Sequence, residues 1–294
     1  MKNKRWFVFA LALCLALALG SCGLEPFGGD IKGSGVMGQK NVPLSNTASG
    51  YSLYIDGVSV RGAAEMRLVV DESLRSAAVL ETDNNILYRF NLDCNPVSGE
   101  IRLSVPRYAV FSPTRLTLTV GAPVREIDIE GMWKVSYNCP GVKEFRLDVD
   151  GTVNGDFTFG ALNRLDMDFD GLSDISMRSA GAKNCMLVVD GTLHGNFDLG
   201  EMDSLDAQLH GLSTIAFSGT TRRALFELNG GGNIYAFGLT AQEADVIISG
   251  LGNCEITAEQ RLNAVIDGGG RITYAGNPAA VSQQVNGLGS IRAK

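Results

Sequence analysis

Between residues 126 and 294 apolar and polar positions alternate in short runs, and the runs recur. Leu165-Asp166-Met167-Asp168-Phe169 sends its apolar side chains to one face of a strand and its carboxylates to the other. Leu205-Asp206-Ala207-Gln208-Leu209 repeats the arrangement. Each run closes on the pattern apolar–polar–Gly. The marker glycines are Gly131, Gly151, Gly171, Gly191, Gly211, Gly230, Gly250, Gly268 and Gly287, spaced by 20, 20, 20, 20, 19, 20, 18 and 19 residues. A helix-pair repeat needs about 33 residues or more, and no helical periodicity lies between the glycines. Two or three short strands with their turns fill the interval. The predicted fold is therefore all-β, a parallel, right-handed β-helix with about 20 residues per coil. At ~4.8 Å per coil the nine markers give a rod of roughly 40 Å.

A longer period lies over the first. Residues 149–178 align with 189–218 without gaps and share 13 of 30 identities, so the duplicated block is two coils. Columns counted from the marker are apolar in coil after coil. Two residues before it stand Val149, Phe169, Val189 and Leu209. Four before stand Leu147, Met167, Leu187 and Ala207, and six after stand Phe157, Met177, Phe197 and Phe217. Each coil buries roughly six side chains at ~1.5–3 kcal/mol each, less than the ~1.5 kcal/mol per residue needed to order it. No coil is stable alone, and stacking must supply the rest. The marker glycine follows an Asp or Asn at a corner, where positive φ or close approach of backbones excludes a Cβ. In the last coil the four-before position is Gln283, a polar end that blunts the stack.

Ahead of the regular repeats, residues 51–125 form a looser N-terminal β portion. Strands are predicted at Tyr51–Ile55, Met66–Val70, Ile101–Val105 and Arg115–Val120. They either continue the stack with larger excursions or form a layer that caps it. Residues 22–50, with Gly28-Gly29, Gly33-Ser34-Gly35 and Pro43, read as a flexible tether.

The first 21 residues read as an export signal. Three cations in Met1–Arg5 precede an apolar run, Trp6–Leu19, which is shorter than the ~20 residues a membrane-crossing helix needs. The run ends in Leu19-Gly20-Ser21-Cys22, which resembles the bacterial lipobox. That resemblance implies cleavage before Cys22, acylation of its sulfur and amine, and a membrane anchor at that residue. An outer-membrane lipoprotein follows as the expected location, facing the periplasm or the cell surface.

Composition narrows the function. Of 294 residues, 36 are Gly and 8 are Pro, without a Gly-X-Y period, which suits many strands joined by tight turns. The formal charge is −7, and loss of Lys2, Lys4 and Arg5 with the leader makes it more acidic. No cationic run remains to neutralise phosphates, so nucleic acid is not an expected partner.

No catalytic constellation stands out, and no metal or cofactor site is expected. The two histidines, His194 and His210, fall in neighbouring coils without a Cys or carboxylate at zinc-like spacing. Asp148, Asp150, Asp168, Asp170 and Asp190 can stack into a stripe, either fanned into water or relieved by a cation such as Ca²⁺. Cys185 and Cys254 fall in apolar columns and read as core. Cys94 and Cys139 sit in Cys-Asn-Pro and Asn-Cys-Pro turns, and an oxidising envelope permits a disulfide between them.

Tyr274-Ala-Gly-Asn277-Pro278, followed by Val285-Asn-Gly-Leu-Gly-Ser-Ile291, resembles the head GIN domain family of auto-transporter adhesins. So do the Gly250-Leu-Gly252 unit and the opening Asp56-Gly-Val-Ser-Val60. The resemblance spans about residues 50–294. It implies a β-helical surface protein with an adhesive role and carries over no catalytic residues. The leading expectation is a non-enzymatic envelope module that presents a β face to a glycan, a protein or another copy of itself. The alternative is a polysaccharide-active β-helix enzyme that uses surface carboxylates.

Overall fold

The computed structural model describes residues 31–294 except 45–48, 57–63, 72, 74, 105–109 and 112. The leader and Cys22 lie outside the described residues. The chain is a β-solenoid of about 8 turns. Val124–Cys139, Glu144–Val189, Thr192–Leu209, Thr214–Leu228, Asn233–Ile248 and Asn253–Gly268 pair in parallel, each with the next. One coil separates partners: Ile127 lies beside Leu147, Gly131 beside Gly151 and Tyr137 beside Phe157. Glu144–Val189 runs unbroken for 46 residues because ladder pairing continues around the corners.

The marker corner stacks backbone on backbone. Gly131 has φ +103°, in the left-handed region where only glycine is free of strain. At Gly211 the reason is space: a Cβ would overlap the carbonyl oxygen of Gly191.

Alternation along each side puts the apolar columns inside. Leu147, Met167, Leu187 and Ala207 are buried, as are Val149, Phe169, Val189 and Leu209, and Phe157, Met177, Phe197 and Phe217. Volumes trade across the core. One coil holds Ala207 opposite Phe217, and the next holds Phe226 opposite Ala236. The rings of Phe197, Phe217 and Phe226 stack in series with centroids 5.5 Å apart at each step. Burial of a ring of this size gives the solenoid its main cohesion.

The N-terminal portion does both things its sequence allowed. Tyr51–Asp56 lies parallel between Glu100–Ser104 and Val124–Cys139, and Ala64–Val70 lies parallel between Thr114–Val120 and Val124–Cys139, so the stack continues. Antiparallel strands then cover it. Ala77–Asp83 pairs with Thr114–Val120, Asn91–Cys94 pairs with Glu100–Ser104, and Met37–Pro43 pairs with Ala77–Asp83. The last pairing corrects the expected tether: within residues 22–50, Met37–Pro43 is strand. Gly38 permits it, since a Cβ there would press on the backbone of Asn84. In the final described coil Gln283 lies beside Ala264, and all of Ala280–Gly287 is exposed.

Candidate functional site

Outward positions on the side that ends at the marker corner carry carboxylates in two rows. Glu130 lies beside Asp150, and Asp128 beside Asp148, in strict ladder register. The next two coils extend the rows with Asp168, Asp170 and Asp190. The stripe is therefore present in the first four regular coils. It then gives way to His210, Asn229 and Ser249 in one row and to Val188, Gln208 and Glu227 in the other.

Stacking like charges one coil apart has an electrostatic cost. Partial burial pushes the carboxyls of Asp128 and Asp168 above the ordinary range, and the charge of Asp148 adds to both. Asp170 is raised by burial and then by Asp150 and Asp190. Glu130 is raised by burial, then by Asp56 and Asp150, and it shares a hydrogen bond with Asp56. Arginines at the edge relieve part of this. Arg146 bonds Asp148 at 3.0 Å and approaches Glu126 at 4.0 Å.

The two histidines are not brought together. His210 Nδ1 lies 2.8 Å from Asp190 Oδ1, whereas His194 stands on the next side of the solenoid, in register with Asp174 and Thr214. Among the described residues no three His, Cys, Asp or Glu side chains converge on one point.

The bridge that the sequence permits between Cys94 and Cys139 is not formed. Cys139 is a buried thiol beside the Tyr137 phenol, while Cys94 ends a capping strand in register with Ile101. Ile101 lines up through Leu53 with Ile127, which the Gly131 corner separates from Cys139. Cys185 and Cys254 are core thiols whose burial pushes their ionisation far up.

The surface offers little enclosure. Five open depressions are lined by charged, polar and aliphatic side chains, one by Asp203, Arg222, Arg223 and Glu243. None of these five contains an aromatic ring. Neighbouring carboxylates in a row stand one coil apart, ~4.8 Å, near the separation of a retaining glycosidase pair, about 5–5.5 Å. The spacing recurs at every step, however, so nothing sets one pair apart, and among these five depressions the one that reaches the rows, at Asp168, is open.

The family model described as "Putative auto-transporter adhesin, head GIN domain" matches residues 55–278. The chain belongs to the head GIN domain family. No curated protein matches it. Among solved structures, a "putative adhesin" from Parabacteroides distasonis is 17% identical, with a TM-score of 0.59, over 90% of this chain and 100% of that one. A "putative lipid binding protein" from the same organism is 18% identical with a TM-score of 0.58, at 90% and 100% coverage. A "putative adhesin" from Parabacteroides merdae is 19% identical with a TM-score of 0.54, at 90% and 99% coverage. At these identities the likeness shows the fold. This head GIN chain is thus a solenoid, and of its carboxylate rows the sequence marked Asp148, Asp150, Asp168, Asp170 and Asp190 but not Asp128 or Glu130, which only the ladder register adds. The edge arginines were missed, since Arg146 and Arg164 carry no motif.

Proposed function

We propose that this head GIN domain protein is a non-enzymatic adhesin of the bacterial envelope, anchored by lipid at Cys22, whose solenoid side is its binding face. The observation that carries the reading is the match to an adhesin family over most of the chain. The repeating surface supports it, because a regular side without a cleft suits an extended partner better than a reacting bond. The partner is a glycan or a protein. The acidic rows favour one that presents cations or hydroxyl donors.

Two measurements test it. Binding of the full chain to a glycan array and to envelope and host-matrix proteins should be detectable, while incubation with the same polysaccharides should release no reducing sugar. Sugar release would overturn the non-enzymatic reading. For the anchor, cells fed a labelled fatty acid should acylate the wild type and not Cys22→Ala. Equal labelling, or none in the wild type, would remove the lipid from the proposal.

A further inference from the structure

The two-coil period of the sequence reappears on the outside of the rod. The residue after each marker glycine is large and apolar in every second coil: Met132, Leu172, Leu212, Leu251 and Leu288. These side chains are strongly exposed, from 48% at Leu172 to 96% at Leu288. The intervening coils place Thr152, Thr192, Gly231 and Gly269 at the same position. One corner of the solenoid is thus a ridge of apolar knobs separated by gaps, with a repeat of two coils, about 10 Å. Leu212 and Leu251 each lay a Cδ2 against the glycine of the following coil, 3.0 Å from where its Cβ would be. Single exposed leucines need no explanation, but a row of five in register is a contiguous apolar strip of the kind that marks an interaction surface.

We propose that this ridge is where two copies of the chain lie side by side and antiparallel. The period argues for a second copy, because a surface certain to carry knobs and gaps at the same spacing is the ridge itself. A two-fold axis perpendicular to the rod, with the copies offset by one coil, sets every overlapping knob against a gap. The two-fold passes beside Leu212, whether the offset is taken upward or downward.

Closure fixes the direction, because parallel copies related by a two-fold along the rod set knob on knob, and a one-coil slip that avoids this no longer exchanges the two copies. The residue just before the marker is acidic in the first four regular coils, Glu130, Asp150, Asp170 and Asp190, and is His210, Asn229 and Ser249 in the next three. In the antiparallel pair most of that acidic half lies beside the histidine, asparagine and serine of the other copy, and one acid, Glu130 in one offset or Asp170 in the other, lies beside Asp267. In one of the two offsets Asp190 meets His210 of the second copy. The same acidic row disfavours an anionic lipid surface as the occupant. The strip is narrow, so the contact belongs to the weak class, below about 1,200 Å². It forms where copies are crowded, and it is isologous, as most soluble dimers are.

The test uses single cysteines in the full chain expressed in a bacterial envelope. With Leu212→Cys the two sulfurs stand about 5 Å apart along the rod, and with Met132→Cys more than about 30 Å apart. Mild oxidation should therefore link Leu212→Cys into a dimer and leave Met132→Cys at the wild-type background. Both positions are exposed, and an unchanged unfolding temperature will show that the fold is intact. Adding Leu172→Asp and Leu251→Asp to Leu212→Cys should cut the linked fraction several-fold. Absence of the Leu212→Cys dimer overturns the proposal in favour of a glycan, a lipid or no occupant. Equal linkage at both positions overturns the antiparallel arrangement, and linkage that survives the two aspartates overturns the role of the ridge.

Discussion

His210 donates or accepts a hydrogen bond across one coil step, its Nδ1 2.8 Å from Asp190 Oδ1, at the point where a row of stacked carboxylates ends. The acid row does not fade gradually. It stops against a ring that can offer a proton, and beyond it the same position holds Asn229 and Ser249. Later in the row a neutral amide does the same work, since Asn286 donates from Nδ2 to Asp267 at 2.6 Å. Corner residues in this solenoid are therefore coupled from coil to coil.

Acid should stabilise the solenoid. Asp128, Glu130, Asp168 and Asp170 all titrate above the ordinary carboxylate range, chiefly through burial and then through their stacked neighbours. Such groups bind protons in the folded state before they do so in the unfolded chain. Stability therefore rises as pH falls from 7 through these raised values. The gain is complete below the unfolded value of about 4 and is lost again as pH climbs. Asp71, held low by the hydroxyl and amide of Ser73, works in the opposite direction, but it is one group against four. Thermal unfolding at pH 5 should occur at a higher temperature than at pH 7, and Asp168→Asn with Asp170→Asn should flatten that difference. Unfolding that is easier at pH 5 would contradict the assignment.

Strand phase can be checked with two adjacent residues. Phe197 is fully buried between coils and stacks on Phe217, whereas Asp198 points out. Phe197→Ala should cost about 3–5 kcal/mol by opening a cavity, and Asp198→Ala less than about 0.5 kcal/mol. Chemical denaturation of the two variants measures both.

Two neighbouring glycines should differ as sharply. A Cβ at Gly211 collides with the Gly191 carbonyl, which cannot move without breaking the ladder, so Gly211→Ala should cost at least about 2 kcal/mol. At Gly231 a Cβ meets only the end of the Leu212 side chain, which can turn aside. Gly231→Ala should be close to neutral in the same denaturation experiment.

Two serines at equivalent corner positions have unequal partners. Ser213 Oγ accepts the Leu193 N–H at 3.2 Å, while the buried Ser173 Oγ is without a partner among the described residues. Ser213→Ala should cost about 1 kcal/mol, and Ser173→Ala should be neutral or stabilising. A calorimetric comparison in which both lose equally would show that Ser173 is bonded.

The regular coils were legible because one constraint is written into each of them. The glycine at Gly131, Gly151 and the later markers has no substitute at a corner packed backbone on backbone, so it survives as a period. Residues such as Phe157, Met177 and Phe197 vary in identity but not in apolarity, so the phase of the strands could be read too. The capping layer was not legible. Met37–Pro43 pairs with Ala77–Asp83 across two intervening strands, Tyr51–Asp56 and Ala64–Val70, and its Gly38, Asn41 and Pro43 are the residues of a linker. Asn84–Leu87, a single helical turn, is too short to leave a periodicity. The exposed ridge was hidden for a different reason. Met132, Leu172 and Leu212 were visible in the sequence, but only the register shows that they share one corner.

The glycine corners also decide how such a protein can change length. Each corner is shaped to rest its backbone on another of its own kind, whatever side chains flank it. Excising or adding the stretch from one marker to the following one leaves the backbone floors above and below matched, and the coils of 18 and 19 residues take up their shortfall in local register shifts away from the corner. Growth of this rod should therefore come in whole storeys, each adding the same small increment of reach.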